Sequence, residues 1–359
     1  MDIFAAPDFR RLPEPAAALF AAASRTSFFS QAEWYDLLAR HGLEPGAETR
    51  LYMTQSASAK AGLVASFTRS GGHRELRGLC NFYSCEYGVL MDGESGSALP
   101  LVADLAAAIV RAESKLDTIL LPGLDVDDGA FGAILAGLRR AGFVAKPFFD
   151  SGTWYESVAG LNFADFTAAR PSALRNTWRR KSAALAKAHT VAVRFYEPGE
   201  DIGAYLADYD AVYRRSWKPN EPFPAFMPAL IRLAASSGAL RLGILSLDGT
   251  PAAAQFWIVW QGRAVIYKLA YDEQFNQFSP GTLLTMGMVE RALDRDSLSE
   301  INFGRGDDPY KRLWLPRRRE RWGIFAANPR TPRGMLHSAR IVASRARDRL
   351  LGRDLVARV

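Results

Sequence analysis

Apolar positions along this chain recur in two rhythms, and both rhythms appear in each half. Over residues 31–41, Trp34, Leu37 and Leu38 fall on one face at helical spacing, which predicts a helix with that face inward. Short β-branched and aromatic runs at 51–54 and 63–67 predict strands. A helix is expected over 99–113, a strand over 118–121, a helix over 129–141 and a strand over 143–148. The pattern loosens around 152–162, and a domain boundary is expected near residue 160.

The second half is more regular. Pro171 suits the first turn of a helix running to about Lys187, and 191–195 reads as a strand. Asp201 is placed to cap a helix in which Tyr205, Tyr209, Tyr213 and Trp217 recur every fourth residue. Another helix is expected over 224–236. Three antiparallel strands follow over 240–247, 252–260 and 264–271, turned at Asp248-Gly249 and at Gln261-Gly262. A loop over 272–279 leads into a helix from Pro280 to about Asp294, then a strand over 299–303 and another over 321–327. No solenoid-like period is visible, but the halves share a loose α/β order that suggests a duplicated fold.

The 359 residues suggest two domains. With 48% hydrophobic and 23% charged residues, the composition is that of a globular protein. No continuous apolar run approaches a membrane span, and Met1-Asp2-Ile3-Phe4 does not open like a secretory leader, so a cytoplasmic chain is expected. Cys80 and Cys85 read as free thiols, and no metal-ligand spacing accompanies them. The formal charge of +7 is concentrated at 175–187, 311–321 and 330–358, which favours anionic partners. No DNA-recognition motif accompanies that charge.

Two segments stand out as candidate chemistry. In Ile301-Asn302-Phe303-Gly304-Arg305-Gly306-Asp307-Asp308-Pro309-Tyr310-Lys311 a strand stops at glycines, and two acids, a phenol and an amine follow. Such groups just past a strand end are placed for proton transfer, or equally for capping the next helix. In Gln277-Phe278-Ser279-Pro280-Gly281-Thr282-Leu283-Leu284 a helix opens after a strand, where backbone N–H groups attract phosphate; a plain Ser-Pro helix start fits the same residues.

The meander, the SPGTLL helix start and INFGRGDDPYK with Trp314 after it together resemble the acetyltransferase domain of the GNAT superfamily. More narrowly they are similar to its CelD and FemAB-like branch, linked to exopolysaccharide and cell-envelope synthesis. The resemblance covers residues 170–327. Phe28-Phe29-Ser30-Gln31-Ala32-Glu33-Trp34 is similar to the family's opening. It implies an α/β fold of tandem GNAT-like domains, each a mixed, mostly antiparallel sheet flanked by helices. It also implies an acetyl-CoA or other acyl-CoA donor with no metal.

By that resemblance the CoA diphosphate sits on Gln277, Ser279, Gly281, Thr282 and Leu283, with Pro280 and Thr282 at positions where the general motif has glycine. Backbone N–H groups of Lys268, Leu269 and Ala270 hold the oxyanion, Asp307 or Asp308 is the base, and Tyr310 protonates the leaving thiolate. Aminoacyl-tRNA is the donor in FemAB relatives, but their helical tRNA-contacting arm has no counterpart here.

Around this centre, Trp217, Lys218, Arg305, Lys311 and Trp314 are candidates for contact with the acceptor, and Glu221 and Asp272 are further cleft candidates. The tyrosine stripe itself reads as core. Arg175 and Arg179 share a helix face, either solvated or clamping a phosphorylated acceptor. From 333 to 358 an Arg-rich helix is expected, with Met335, Ala339, Val342, Ala346 and Leu350 on one stripe. Such a helix suits an inner-membrane surface, an anionic nucleotide regulator, or packing on its own protein.

The expected organisation is therefore 1–160, 161–330 and a basic helix over 331–359. The expected activity is N-acyl transfer to an amino sugar, nucleotide- or lipid-linked, of an envelope or exopolysaccharide precursor. The alternatives are aminoacyl transfer from tRNA and a non-catalytic binding module.

Overall fold

The computed structural model describes residues 1–5 and 7–350, with side chains through Asp348. In chain order the first elements are β1 (Asp2–Ala5), α1 (Glu14–Ser24), α2 (Ala32–His41), β2 (Glu48–Gln55), β3 (Lys60–Ser70), β4 (His73–Gly78) and β5 (Leu90–Asp92). Then come α3 (Ser95–Ala112), β6 (Thr118–Asp125), α4 (Gly129–Arg140), β7 (Val144–Ser157), α5 (Phe163–Ala168), α6 (Ser172–Ala188), β8 (Val191–Phe195), α7 (Ile202–Arg214) and α8 (Phe226–Ser236). The chain closes with β9 (Leu240–Leu247), β10 (Thr250–Trp260), β11 (Arg263–Tyr271), α9 (Pro280–Arg295), β12 (Glu300–Asn302), β13 (Arg317–Ala327) and α10 (Pro332–Leu350).

Two compact units result: Met1–Gly152 together with the chain from Glu320 onward, and Thr153–Arg319. The division differs from a simple cut near 160 for a physical reason. β13 pairs antiparallel with β6 from Arg321↔Asp125 to Ala327↔Thr118, so the late chain completes the first unit's sheet. The basic helix α10 belongs to that unit as well, rather than standing apart from residue 331. The part of the expected basic helix from 351 onward lies outside the described residues.

The units repeat one topology. In the first, β2, β3 and β4 form an antiparallel meander, α3 follows, and β6 runs parallel beside β4. In the second, β9, β10 and β11 form the meander, α9 follows, and β12 runs parallel beside β11. Each sheet is mixed, mostly antiparallel and flanked by helices. The second meander's turns are set locally: Asp248 and Gly249 have φ of 49° and 81°, and Gln261 and Gly262 have 49° and 73°, the left-handed pairs of tight hairpins.

In the first unit, Phe29 and Trp34 meet edge to face at 4.8 Å, so the FFSQAEW segment is aromatic core. Ser95–Ala112 has the length and mean hydropathy, 1.3, of a membrane span. It packs against α4 and the sheet through Val102, Leu105 and Ile109, which are buried, and has the bearing of a core helix. In the second unit the core joins Trp257, Leu284, Met288 and Ile301 to Trp314 and Leu315.

Candidate active site

The second unit's site begins where two parallel strands separate. β11 pairs with β12 at Arg263↔Glu300, Ala264↔Ile301 and Val265↔Asn302. β12 ends there, while β11 continues to Tyr271, still paired on its other edge with β10. The edge from Ile266 to Tyr271, which holds Lys268, Leu269 and Ala270, therefore faces a gap instead of a strand. Main-chain N–H groups along such an edge can bind an extended ligand or a developing oxyanion.

At the end of that edge α9 starts abruptly. Ser279 adopts a left-handed conformation, φ 54° and ψ 51°, and its side chain makes no capping bond. The first-turn donors are largely used: Thr282 and Leu283 N–H return to the Ser279 carbonyl at 3.0 and 3.3 Å, and Ser279 N–H donates to Asn276 O at 3.0 Å. A Cβ on Gly281 would lie 3.0 Å from Tyr271 Cδ1, so this glycine lets α9 pack closely on β11. The broad amide cradle expected over Ser279–Leu283 thus narrows to the Gly281 N–H, since Pro280 has none. Gln277 is exposed beside it.

The start of α9 is fixed by a residue that patterning does not reveal. Gln255 on β10 is fully buried, donates to Gly281 O at 3.1 Å and to the Thr285 hydroxyl, and accepts from Trp257 Nε1 at 2.9 Å. Its only signal in the sequence is a polar residue inside an otherwise apolar strand.

α6 lies against α9 and the turn before it, and Lys181 donates to the Gln277 carbonyl. The exposed Arg175 and Arg179 line a shallow groove between α5 and α6 with Trp178 and Ser182. These arginines therefore sit on the helix that touches the expected donor turn.

The loop after β12 winds around a buried amine. Lys311 is 6% exposed, and its Nζ meets Asp308 Oδ2 at 3.0 Å, Gly306 O at 3.1 Å and Arg305 O at 3.2 Å. Gly304 and Gly306, at φ 57° and 113°, let the loop turn there. An ammonium so enclosed holds the loop and has no donor left over for the acceptor contact expected of it. Trp314 is likewise corrected: it is 6% exposed in the core, and its carbonyl accepts from the buried Arg170. Asp272, too, is structural, since it caps the turn before α9 and pairs with Arg215 Nε at 2.5 Å.

Asp307 faces Arg318, whose Nε lies 3.0 and 3.1 Å from the carboxylate oxygens and whose Nη2 lies 2.7 Å away. That fork holds the carboxyl below its ordinary range, which favours an anchoring anion over a proton acceptor. Asp308 is exposed. Tyr310 stands edge to face on Phe303 at 5.9 Å. Although 45% of Tyr310 is exposed, desolvation first and Asp308 second push its phenol up to about 12, so it stays protonated at neutral pH.

The tyrosine stripe of α7 runs from core to cleft. Tyr205 and Tyr209 are buried, Tyr213 is half-buried, and Trp217 is 48% exposed, leaning on Tyr271 at 4.4 Å. Tyr213 donates to Glu221 Oε1 at 2.7 Å, and Lys268 Nζ approaches the same oxygen at 2.8 Å. Glu221 and Tyr213 line a cleft between α7 and α8 with Asn220, Met227 and Arg232. Lys218 lies over the Trp217 ring at 5.7 Å. Burial first, then Lys268, lower its pKa to about 8, with Glu221 opposing and with Lys311 and Asp308 in range. Lys218, Lys268, Glu221 and the post-β12 loop thus form one charged cluster beside the open edge of β11.

A parallel pair that opens after three residues, a helix at its mouth and a titratable cluster beside it together frame one cleft. Residues 172–312 match the family model of an acetyltransferase (GNAT) domain. That match indicates an N-acyltransferase domain within the second unit. Three solved structures share the fold across both units. "Crystal structure of FemX" has 12% identity and a TM-score of 0.60, covering 91% of this chain and 97% of that one. The C-terminal domain of a putative lysylphosphatidylglycerol synthetase from Agrobacterium fabrum has 14% identity and a TM-score of 0.53, covering 91% and 96%. A conserved protein of unknown function from Bacteroides thetaiotaomicron has 11% identity and a TM-score of 0.52, covering 88% and 98%. At these identities the likeness is one of fold. No curated protein sequence matches the chain significantly.

Proposed function

We propose that the second unit transfers an acyl group from an acyl-CoA, acetyl-CoA in the simplest case, to the amine of an amino sugar in an exopolysaccharide or cell-envelope precursor. The observation that carries this reading is the stretch of β11 beyond its pairing with β12, next to the Lys218–Lys268–Glu221 cluster. The pantetheine arm would run along Ile266–Tyr271, whose N–H groups suit the thioester carbonyl, and the diphosphate would approach Gly281 and the basic face of α6. The residues fit an acyl-CoA along this edge better than at the helix start, where few N–H groups remain.

In the proposed reaction Lys218, neutral in part near pH 8, takes the proton of the acceptor ammonium. The amine attacks the thioester carbonyl, and the oxyanion is held by β11 N–H groups and the nearby ammonium of Lys268. As the C–S bond breaks, the Tyr310 hydroxyl gives its proton to the thiolate and takes back the second proton of the newly acylated nitrogen, so that the neutral amide and the free thiol leave. Asp307, paired with Arg318, anchors the loop that carries Tyr310. Trp217 offers an aromatic face for a sugar ring. A cluster with more ammonium than carboxylate also suits an acceptor bearing phosphate, such as a nucleotide- or lipid-linked sugar at the inner face of the membrane.

A second reading is aminoacyl transfer from charged tRNA, which the fold likeness to FemX favours. Thiol release from acetyl-CoA in the presence of amino-sugar acceptors tests the first reading. Acceptor-dependent release supports it. Release that never depends on an acceptor, with product formed only from charged tRNA, replaces it with the second.

A further inference from the structure

We infer that α10 docks the protein on an anionic lipid surface, through a face that is the reverse of the one a globular helix usually exposes. On the packed side of the helix are small and polar residues. Ser338 donates to Ala327 O at 3.4 Å, Ser344 Oγ accepts from Lys146 Nζ at 2.7 Å, Asp348 pairs with the same amine at 2.5 Å, and Arg345 donates to Ala145 O. Among the described residues, Ile341 is the one large apolar side chain buried with them. The stripe that would ordinarily face a core points outward: Met335 is 59% exposed, Leu336 55% and Val342 55%, with Ala339, Ala343 and Ala346 exposed among them.

At about 100° per residue these six positions span an arc of roughly 120°, the width of a buried face. Arg333, Arg340 and Arg347 follow along one flank of that arc, all exposed. The first unit therefore holds the helix firmly by its polar side and offers apolar side chains to something else. The bordering charge identifies the occupant. An apolar arc beside a row of guanidinium groups is complementary to acyl chains beneath anionic headgroups. A nucleic acid would meet the arginines but leave Met335, Leu336 and Val342 in water. A second copy of this chain would bring its own row of arginines against the first.

The test uses the full chain in vesicle flotation, with phosphatidylcholine alone and with phosphatidylcholine mixed with phosphatidylglycerol. The wild type is expected to float with the anionic vesicles, less so as salt is raised, and to stay behind with neutral ones. The exposed pair L336Q/V342Q and the pair R340Q/R347Q should each weaken binding by roughly tenfold or more, since each arginine near a charged surface contributes on the order of fivefold. Neither pair should lower the thermal midpoint. Equal binding to both vesicle types, or unchanged binding by the variants, overturns the inference. So does a fall in the midpoint for L336Q/V342Q, or a dimer in light scattering that the same variant dissociates.

Discussion

Lys268 Nζ lies 2.8 Å from Glu221 Oε1, the same oxygen that accepts from the Tyr213 hydroxyl at 2.7 Å. One carboxylate thus gathers the strand that edges the gap and the helix that precedes Trp217 and Lys218. Glu221→Gln removes the charge that opposes the lowering of Lys218. The variant should lose most of its turnover, and its activity should start to rise at a lower pH than in the wild type. A pH–rate series on both proteins checks the direction.

Lys218 has a folded-state pKa of about 8, lowered from its ordinary value. As the proton acceptor it works when neutral, so turnover should rise with pH through about 8 and then level off. Lys218→Met should abolish that rise and reduce kcat by about 100-fold, the usual lower bound for losing a general base. Stability should carry the same signature. The unfolded chain holds this proton and the folded chain does not between about 8 and the ordinary lysine value, so wild-type stability gains with pH in that window. Denaturant melts of wild type and Lys218→Met across the window measure the gain.

Tyr310 stays protonated until about pH 12. Tyr310→Phe should lower kcat by about 100-fold with little change in KM for the acyl donor, because the lost proton is needed only as the thiolate leaves. Steady-state kinetics with saturating acceptor separates the two parameters.

The loop after β12 should fail structurally when Lys311 is replaced. Lys311→Met strands the Arg305 and Gly306 carbonyls and removes the partner of Asp308. A loss of about 1 kcal/mol is expected from half-buried carbonyls that lose this donor. Arg318→Gln acts on the same loop through Asp307, whose carboxyl is held low chiefly by Arg318. Its stabilising contribution is present above the ordinary aspartate value and is lost as pH falls through the lower folded value. Wild type should therefore exceed Arg318→Gln in stability at neutral pH, with the difference closing in acid. Urea melts over that range measure it.

The parts of the fold written in local chemistry were legible in the sequence. Asp248-Gly249 and Gln261-Gly262 dictate left-handed turns, and Asp201 caps α7 through the Gly203 N–H at 2.8 Å. The order of meander, helix and strand followed from those turns and the apolar spacing. β4 escaped because His73–Gly78 is mostly polar, and a strand lying between two others is fixed by its neighbours rather than by its own pattern.

The site was legible as a neighbourhood and not as a set of roles. Nothing local distinguishes Lys311, folded inward on carbonyls, from Lys218, set in a cleft among charges; only the tertiary arrangement divides them. The apolar stripe of α10 was visible, but its orientation was not. Lys146 and the Ala145 carbonyl, far off in sequence, turn the polar side inward.

Calorimetric titration of the protein with acetyl-CoA tests the central claim most directly. Saturable binding with one site per chain, weakened when a bulky side chain replaces Ala270 on the open edge of β11, is the predicted result. No binding of any acyl-CoA, or binding that is indifferent to the Ala270 variant, would contradict it.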